Sequence, residues 1–161
     1  QATRDIDHLR RHVPAGAVVS IEDVSSSYSV LALMGPHSRA LLRRLVAHAA
    51  DLDNAAFPFG TSRTLDVAHV RARVARVTYV GELGYELYVR PDAARSLYEA
   101  LYAGAAGLWK EIGGANGSID GSCDGMKGGE AIDLRDGGYY AIDSLRLEAG
   151  YRAWGHELGV S

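Results

Sequence analysis

The spacing of hydrophobic residues in the first half of the chain predicts alternating helices and strands. Apolar side chains that recur every three to four residues are typical of a helix, and short apolar runs that end at glycine or proline are typical of a strand. By this criterion, the predicted helices cover residues 3–13 and about 36–49, and the predicted strands cover residues 17–24 and 28–34.

The second half of the chain predicts a hairpin followed by two helices. Residues from about 63 to 80 alternate between apolar and polar side chains, as in one long strand, and a shift in phase near Ala75 indicates a bulge. The segment Gly81–Gly84 then predicts a turn, and residues 85–89 predict a return strand. The two predicted helices begin at Pro91 and at about Tyr139.

A glycine-rich segment separates these last two helices. Seven glycines lie between Gly113 and Gly129, and large apolar residues are few. Such a segment buries too little surface to offset the entropy lost on ordering. We therefore interpret residues 109–136 as an inserted surface loop within a single domain that covers residues 1–161.

Composition excludes several classes of protein. The chain has 161 residues, a net charge of -3, 47% hydrophobic residues and 23% charged residues, which is typical of one globular domain or of part of a longer protein. No apolar run is long enough to span a membrane, residues 1–15 do not form a signal peptide, and the charge balance argues against a nucleic-acid partner. The chain does not begin with Met, so we expect it to be processed or cut from a longer chain.

Charged and cysteine residues add two expectations. The basic cluster of Arg39, Arg43 and Arg44 is interpreted as a solvated helix face in preference to a phosphate-binding patch. The single cysteine, Cys123, cannot form an internal disulfide. It favours a reducing compartment, which we take to be the cytoplasm of a bacterium or the mitochondrial matrix.

No motif for metal, phosphate or acyl chemistry is present, so a catalytic residue is not assigned. The helical pair His8 and His12 lies among arginines and is interpreted as surface. The run from Asp120 to Gly125 is similar to the start of a calcium loop, but the twelfth position holds Ala131 where the loop needs an acid. A solvated loop is therefore favoured over a calcium site, and no metal is expected.

Two stretches hold the residues that could carry chemistry. Residues 76–89 place two carboxylates and three tyrosines around a glycine turn. From the residues alone, an exposed hairpin with aromatic cross-strand pairs is favoured. The alternative is a site for a flat heterocycle, in which a carboxylate accepts hydrogen bonds from the N–H edge of the ring. Residues 139–157 predict an amphipathic helix in which Asp143, Arg146 and Glu148 form ion pairs.

Taken together, these stretches resemble the folate-binding aminomethyltransferase family, the family of the glycine cleavage T-protein. Within it, the sequence is most similar to the C-terminal folate domain of dimethylglycine and sarcosine dehydrogenases. Four segments carry the resemblance in family order and span most of the chain outside the glycine-rich segment. They are residues 28–36 (YSVLALMGP), 56–60 (AFPFG), 79–89 (YVGELGYELYV) and 143–158 (DSLRLEAGYRAWGHEL).

The resemblance implies an α+β fold with mixed or antiparallel sheets and packed helices. It also implies transfer of a one-carbon unit from a small methylated amine to tetrahydrofolate. By the same resemblance, Glu86 should hold the pterin edge, Tyr79 should line the same pocket, and Tyr85 is a third candidate for folate binding. Arginines are expected near the anionic tail of folate, without a choice among the fifteen in the chain. No dinucleotide-binding glycine motif is present, so oxidation by FAD would belong to a separate flavin domain of a longer chain.

The sequence departs from the family pattern in three places. No residue here matches the catalytic aspartate, which the family carries in a more N-terminal part, and the barrel that follows Gly-His-Glu-Leu is also missing. Ile142 stands where the T-proteins have Arg, which favours the dehydrogenase-linked branch. Two alternatives therefore remain. One is a folate-binding or regulatory module without transferase activity, and the other is a fragment that binds no ligand.

Overall fold

The computed structural model describes residues 2–113 and 133–159, with side chains described through Ala106 and again from Asp133. In these residues, helices accompany a single antiparallel sheet, which confirms the α+β class. The helices are α1 (Ala2–Arg11), α2 (Ser38–Leu45), α3 (Pro91–Gly113) and α4 (Tyr139–Glu148). The strands are β1 (Ser29–Met34), β2 (Ser62–Val67), β3 (Val70–Ala75) and β4 (Gly84–Val89).

The strands lie in the order β1-β4-β3-β2, and every neighbouring pair is antiparallel. The β2–β3 hairpin closes at the pair Val67 and Val70, with Ala68 and His69 between them at φ +48° and +68°. Two central residues of positive φ are typical of a tight hairpin turn of type I′. The β3–β4 connection, residues 76–83, is longer, and β4 lies between β3 and β1.

One face of the sheet forms the hydrophobic core. Alternate residues of each strand point to this face, where α2 and α3 cover them. The helices contribute Leu41 and Leu42 from α2 and Leu97 and Leu101 from α3. In contrast, α1 buries no residue and α4 buries only Arg146. The core therefore joins the sheet to two of the four helices of the described part.

The opposite face of the sheet carries polar and small residues. In the order of the strands, one row across the sheet contains Ala32, Glu86, Ala75 and Ser62, and the next row contains Val30, Tyr88, Arg73 and Thr64. None of these side chains is fully buried, because no described element packs over this face. We call it the open face.

Two predicted strands are wrong. Residues 17–24 form no strand, since no described segment pairs with them, and Val18 is fully exposed. The long strand predicted for residues 63–80 is a hairpin of two short strands instead. The sequence does not reveal this hairpin turn, because Ala68 and His69 are not residues that normally mark a turn of positive φ. The phase shift near Ala75 marks the end of β3, not a bulge.

Two further expectations changed in part. The helix predicted from Pro36 begins at Ser38 and ends at Leu45, where Val46 turns to bridge Val67. Helix α3 continues to Gly113, so residues 109–113 of the predicted insertion are helical. Residues 114–132, including the calcium-like run, lie outside the described residues, and the insertion itself stays a prediction.

The prediction that Arg39 lies on a solvated helix face is wrong. This residue lies in α2 and is buried, and its guanidinium donates hydrogen bonds to Tyr85 of the core and to the exposed Asn54. As for membranes, α3 and the other described helices are all too short or too polar to cross a bilayer.

Candidate functional site

Glu86 lies on the open face, in the row of residues nearest the β3–β4 loop. It is the third residue of β4, and its neighbours across the sheet are Ala32 on β1 and Ala75 on β3. The alternation of side chains along β4 places Leu87 in the core and Glu86 on the opposite face. With an alanine on each side, the half-buried carboxylate is flanked by methyl groups, which leaves a shallow space above it.

Tyr88 orients the Glu86 carboxylate. Its hydroxyl donates a hydrogen bond of 2.5 Å to Oε2 of Glu86, from two residues further along the same face of β4. This bond raises the pKa of the Tyr88 hydroxyl, burial adds to the rise, and the positive charge of Arg73 acts in the opposite direction. No other described side chain bonds to Glu86. Its Oε1 atom can therefore accept further hydrogen bonds.

A pocket of about 290 Å³ lies on the open face beside Tyr88, the residue that bonds to the Glu86 carboxylate. Tyr88 and Arg73, which are directly opposite each other on β4 and β3, form part of its wall. The rest of the wall consists of Val24, Tyr28, Ser62 and Ala75. The pocket thus joins two aromatic rings and a guanidinium to the row of residues that holds Glu86.

Tyr79 lies in the β3–β4 loop, at the end of the sheet that carries Glu86. The loop leaves β3 after Ala75, which is opposite Glu86, and returns at Gly84. The side chain of Tyr79 is 38% exposed, and its ring contacts Tyr151 with a centroid distance of 6.4 Å. The structure therefore places Tyr79 and Glu86 at the same end of the sheet without a direct contact between them.

Two glycines allow the β3–β4 loop to fold closely against its neighbours. Gly81 has φ +82°, and a Cβ atom there would lie 2.5 Å from the Cβ of Ala149. A Cβ atom at Gly84 would lie 2.7 Å from the carbonyl oxygen of Val77. The carbonyl of Leu83 also accepts hydrogen bonds from the Gly35 amide, at 2.8 Å, and from Ser38 Oγ, at 3.1 Å. The β3–β4 loop is thus packed against Ala149 on one side and hydrogen-bonded to Gly35 and Ser38 on the other.

Tyr85 is fully buried on the core face, opposite to the side chain of Glu86. Its hydroxyl accepts a hydrogen bond of 3.1 Å from Arg39 Nε, and its ring lies 5.9 Å from that of Phe57. A second nitrogen of Arg39 donates to Asn54 Oδ1 at 2.7 Å. The structure therefore brings Tyr85 together with Arg39 but not with Glu86 on the open face.

An ion cluster centred on Arg146 holds the segment that contacts the Tyr79 loop. The Arg146 side chain is almost fully buried and donates to Asp143 Oδ1 at 2.6 Å, Glu157 Oε2 at 3.0 Å and the Tyr151 carbonyl at 3.1 Å. Glu157 also accepts from the Ala153 amide at 2.8 Å. This amide and the guanidinium lower the pKa of Glu157 from 4.5 to about 2. The predicted pair of Asp143 and Arg146 is present, whereas Glu148 takes no part in the cluster.

Among the described residues, no group of three or more His, Cys, Asp or Glu side chains is placed to hold a metal ion. The rings of His8 and His12 lie 4.1 Å apart on α1, and Nδ1 of His12 lies 2.7 Å from the carbonyl oxygen of His8. They form an exposed pair at one helical turn, as their spacing predicted.

The fold and the site together define a class of protein. It is a two-layer α+β domain that carries a carboxylate on the open face of its sheet. The chain belongs to the GCVT N-terminal domain family, whose model matches residues 1–115. This confirms the family resemblance drawn from the four segments.

Its relatives include dehydrogenases and an aminomethyltransferase. The chain is 30% identical to dimethylglycine dehydrogenase of Mus musculus over 89% of the chain and 14% of the relative. It is 35% identical to sarcosine dehydrogenase of Homo sapiens over 84% of the chain and 12% of the relative. It is also 35% identical to an aminomethyltransferase of Streptomyces coelicolor over 91% of the chain and 32% of the relative. The chain thus spans a third or less of the length of these relatives.

Sequence reasoning missed several features of the open face. Tyr88, Arg73 and the two alanines that flank Glu86 were not recognised as its surroundings. The alternation of side chains along β4 does predict that Tyr88 shares a face with Glu86, because residues i and i+2 of a strand lie on the same side. The cross-strand partners depend on the register between β1, β3 and β4, which no local pattern specifies.

Proposed function

We propose that the open face binds the pterin ring of tetrahydrofolate and that the domain takes part in one-carbon transfer from a methylated amine. The observation that carries this proposal is the Glu86 carboxylate, oriented by Tyr88 and flanked by alanines. A flat ring can lie over the alanines while its polar edge meets the carboxylate.

The chemistry of the two partners is complementary. An ionised glutamate only accepts hydrogen bonds, and the amidine-like edge of a pterin offers two N–H donors. Tyr88 occupies one lone pair of the carboxylate and fixes its orientation, so less rotational freedom is lost when the ligand binds. The residues present therefore fit the pterin group.

The three candidate residues take different parts in this proposal. Glu86 accepts the hydrogen bonds of the pterin edge, and Tyr79 approaches the bound ligand from the β3–β4 loop. Tyr85 lies on the core face of the sheet, where its hydrogen bond with Arg39 holds β4 in position. Tyr85 thus acts by positioning Glu86 and not by contact with the ligand.

The proposed reaction is the transfer of a one-carbon unit to tetrahydrofolate. The names of the relatives, aminomethyltransferase and the dehydrogenases of dimethylglycine and sarcosine, support a small methylated amine as the donor. Where oxidation of the amine is needed, a separate flavin domain of a longer protein would perform it. The open face would then hold folate for the released carbon unit, which limits its escape into water.

Equilibrium binding of tetrahydrofolate under anaerobic reducing conditions tests the proposal. Glu86→Gln should weaken binding about tenfold to hundredfold, because a charge-assisted hydrogen bond contributes about 1.5–3 kcal/mol. The matched control is Glu82→Gln, since Glu82 is exposed in the neighbouring loop and its carboxylate bonds to no described residue. Equal affinities of the wild type and Glu86→Gln would contradict the proposal.

A binding module without transferase activity is the second candidate. It would use the same Glu86 carboxylate and differ from the first candidate only in the transfer step. Formation of methylenetetrahydrofolate by the folate-loaded protein from an aminomethyl donor, whose carbon is already at the oxidation level of formaldehyde, would exclude this candidate. Saturable folate binding without product would favour it.

A further inference from the structure

The outer side of β1 has no partner strand in the described part of the chain. Strand β1 lies at one end of the sheet, and β4 is the only described strand that pairs with it. Leu31 packs against the core but is only half-buried, whereas Leu87, directly opposite on β4, is fully buried. The outer side of β1, which we call the free edge, therefore leaves backbone groups and part of the core uncovered.

The free edge lacks the features that normally prevent a sheet edge from pairing. Natural edge strands carry charged residues or proline, or a neighbouring segment covers them. The sequence of β1 is Ser-Val-Leu-Ala-Leu-Met, without a charge or a proline. The opposite outer strand, β2, carries Arg63 and Asp66, and Val46 forms a β-bridge with Val67 at its end. Of the two edges, the free edge of β1 is therefore the one suited to receive a further strand.

Residues 17–24, which we call the arm, have the composition of a strand but no partner. Their sequence places Val19 and Ile21 on one side of an extended chain and Val18 on the other. None of the eight residues is buried, and Val18 is fully exposed. Helix α1, which precedes the arm, also buries no residue. Little burial therefore holds the arm to its own chain.

The apolar residues of the arm match those of the free edge in an antiparallel pair. When Ile21 lies opposite Leu31, Val19 lies opposite Leu33, and all four side chains are on the core face. The other side of the arm then continues the open face. A shift by one residue would move Val19 and Ile21 to the open face. The hydrophobic pattern therefore specifies this register.

The arm of the same chain is directed away from the free edge. A short helical turn, Ser25–Ser27, follows the arm, and the Ser27 amide donates to the Val24 carbonyl at 2.9 Å. Val24 lines the pocket of the open face together with Arg73 of β3, and β4 separates β3 from β1. Pairing within one chain would require this turn to open. The arm of a second chain can reach the free edge with the turn intact.

We propose that two copies of the chain associate by exchanging arms, so that residues 17–24 of each copy add to the β1 edge of the other as an antiparallel strand. A reciprocal exchange covers both free edges, and each arm gives up few contacts with its own chain. Main-chain hydrogen bonds supply the affinity of an added strand, and the contacts of Val19 and Ile21 set its register. This inference does not depend on the proposed function, because no step of it uses Glu86.

Analytical ultracentrifugation of the 161-residue chain tests the association. We expect twice the chain mass of 17.2 kDa, with dissociation on dilution. Val19→Asp should weaken the dimer at least about tenfold, because the exchange would place a charge against the core. The fold of the single chain should be unaffected, since Val19 is exposed there. Val18→Asp is the matched control on the opposite side of the arm and should leave the dimer as stable as in the wild type.

Disulfide cross-linking distinguishes exchange from pairing within one chain. The proposed register puts Ser20 opposite Ala32, and both are exposed in the single chain. Two single-cysteine chains, Ser20→Cys and Ala32→Cys, each with Cys123→Ser, are mixed and oxidised. Exchange predicts a mixed disulfide between them, identified by mass spectrometry, because opposite residues of paired strands lie within disulfide reach. Ile21→Cys in place of Ser20→Cys should cross-link far less, since its side chain points to the other face.

Three outcomes would overturn the proposal. The first is a mass of 17.2 kDa for the wild type at every concentration up to its solubility limit. The second is a dimer that Val19→Asp and Val18→Asp weaken equally, or that forms no mixed disulfide, since its interface would lie elsewhere. The third is a monomeric double variant, Ser20→Cys and Ala32→Cys, whose disulfide forms within one chain, because the arm would then fold back onto its own edge.

Discussion

Neighbouring residues of β4 have opposite roles. Tyr85 faces the core, Glu86 faces outward, and the strand repeats this alternation through Val89. A run of aromatic and acidic residues in the sequence therefore splits into a structural set and a set available to a ligand. Tyr85 belongs to the first set and Tyr88 to the second, although both lie within two residues of Glu86.

Tyr85→Phe tests this division. The substitution removes the buried hydrogen bond that the Tyr85 hydroxyl accepts from Arg39 Nε, so it should lower the free energy of unfolding by about 1–3 kcal/mol. Urea denaturation measures the loss, and Tyr139→Phe, at an exposed residue of α4, should change little. Unchanged stability together with weakened folate binding would show that Tyr85 contacts the ligand instead.

At the scale of residues, Glu86 was singled out by the family resemblance, because the residues alone favoured an exposed hairpin. Its binding of folate stays a prediction. The burial of Arg39 could not be foreseen, because its partners Tyr85 and Asn54 are remote in sequence. The sequence alone does not distinguish Arg39 from Arg43 and Arg44, because only the tertiary contacts determine which of them is buried.

At the scale of elements, the segment after α4 supports the β3–β4 loop. Tyr151 contacts the ring of Tyr79, and Ala149 lies against Gly81. The buried guanidinium of Arg146 holds this segment through the Tyr151 carbonyl and through Glu157. The position of Tyr79 is therefore linked to an ion cluster in another element.

Glu157 should make the stability of this segment depend on pH. Its pKa is about 2 in the folded chain and 4.5 without these contacts, so its carboxylate stabilises the fold fully above pH 4.5. The contribution falls as the pH drops below 4.5 and is lost near pH 2. Urea denaturation at several pH values should show Glu157→Gln less stable than the wild type at neutral pH, with the difference shrinking toward pH 2.

The control for this experiment is Glu148→Gln, because Glu148 is exposed on α4 and forms no hydrogen bond through its carboxylate with the described residues. It should keep the pH dependence of the wild type. A stability difference between the wild type and Glu157→Gln that is constant from neutral pH to pH 2 would contradict the role given to the ion cluster.

Elements were predictable where local signals were strong. Pro91 begins α3 as expected, and the glycines of 81–84 mark the turn before β4. The β2–β3 turn at Ala68 and His69 gave no such signal, because tertiary pairing imposes its positive φ values. Residues 17–24 show the reverse case, since strand-like composition does not form a strand without a partner.

At the scale of the whole molecule, one core stabilises one face of the sheet and leaves the other face uncovered by the described elements. In the described part of the chain, fifteen buried residues form this core, and those from α-helices lie in α2 and α3. Glu86 and Arg73 thus stand on a rigid sheet whose stability does not depend on them. This separation is what allows the open face to carry charges and small residues.

Leu97→Ala tests where the stability resides. Leu97 is fully buried on α3, so its truncation should lower the free energy of unfolding by about 2–5 kcal/mol. Leu9→Ala, on the exposed side of α1, should change it by no more than about 0.5 kcal/mol. Equal losses in the two variants would contradict the view that α1 lies outside the core.

The most direct measurement is a crystal structure of the protein with 5-formyltetrahydrofolate, a stable analogue of the folate cosubstrate. We predict that the pterin lies on the open face, with its N–H edge about 2.7–2.9 Å from the Glu86 carboxylate. A pterin bound away from Glu86, or a saturated crystal with no ligand on the open face, would contradict the proposed site.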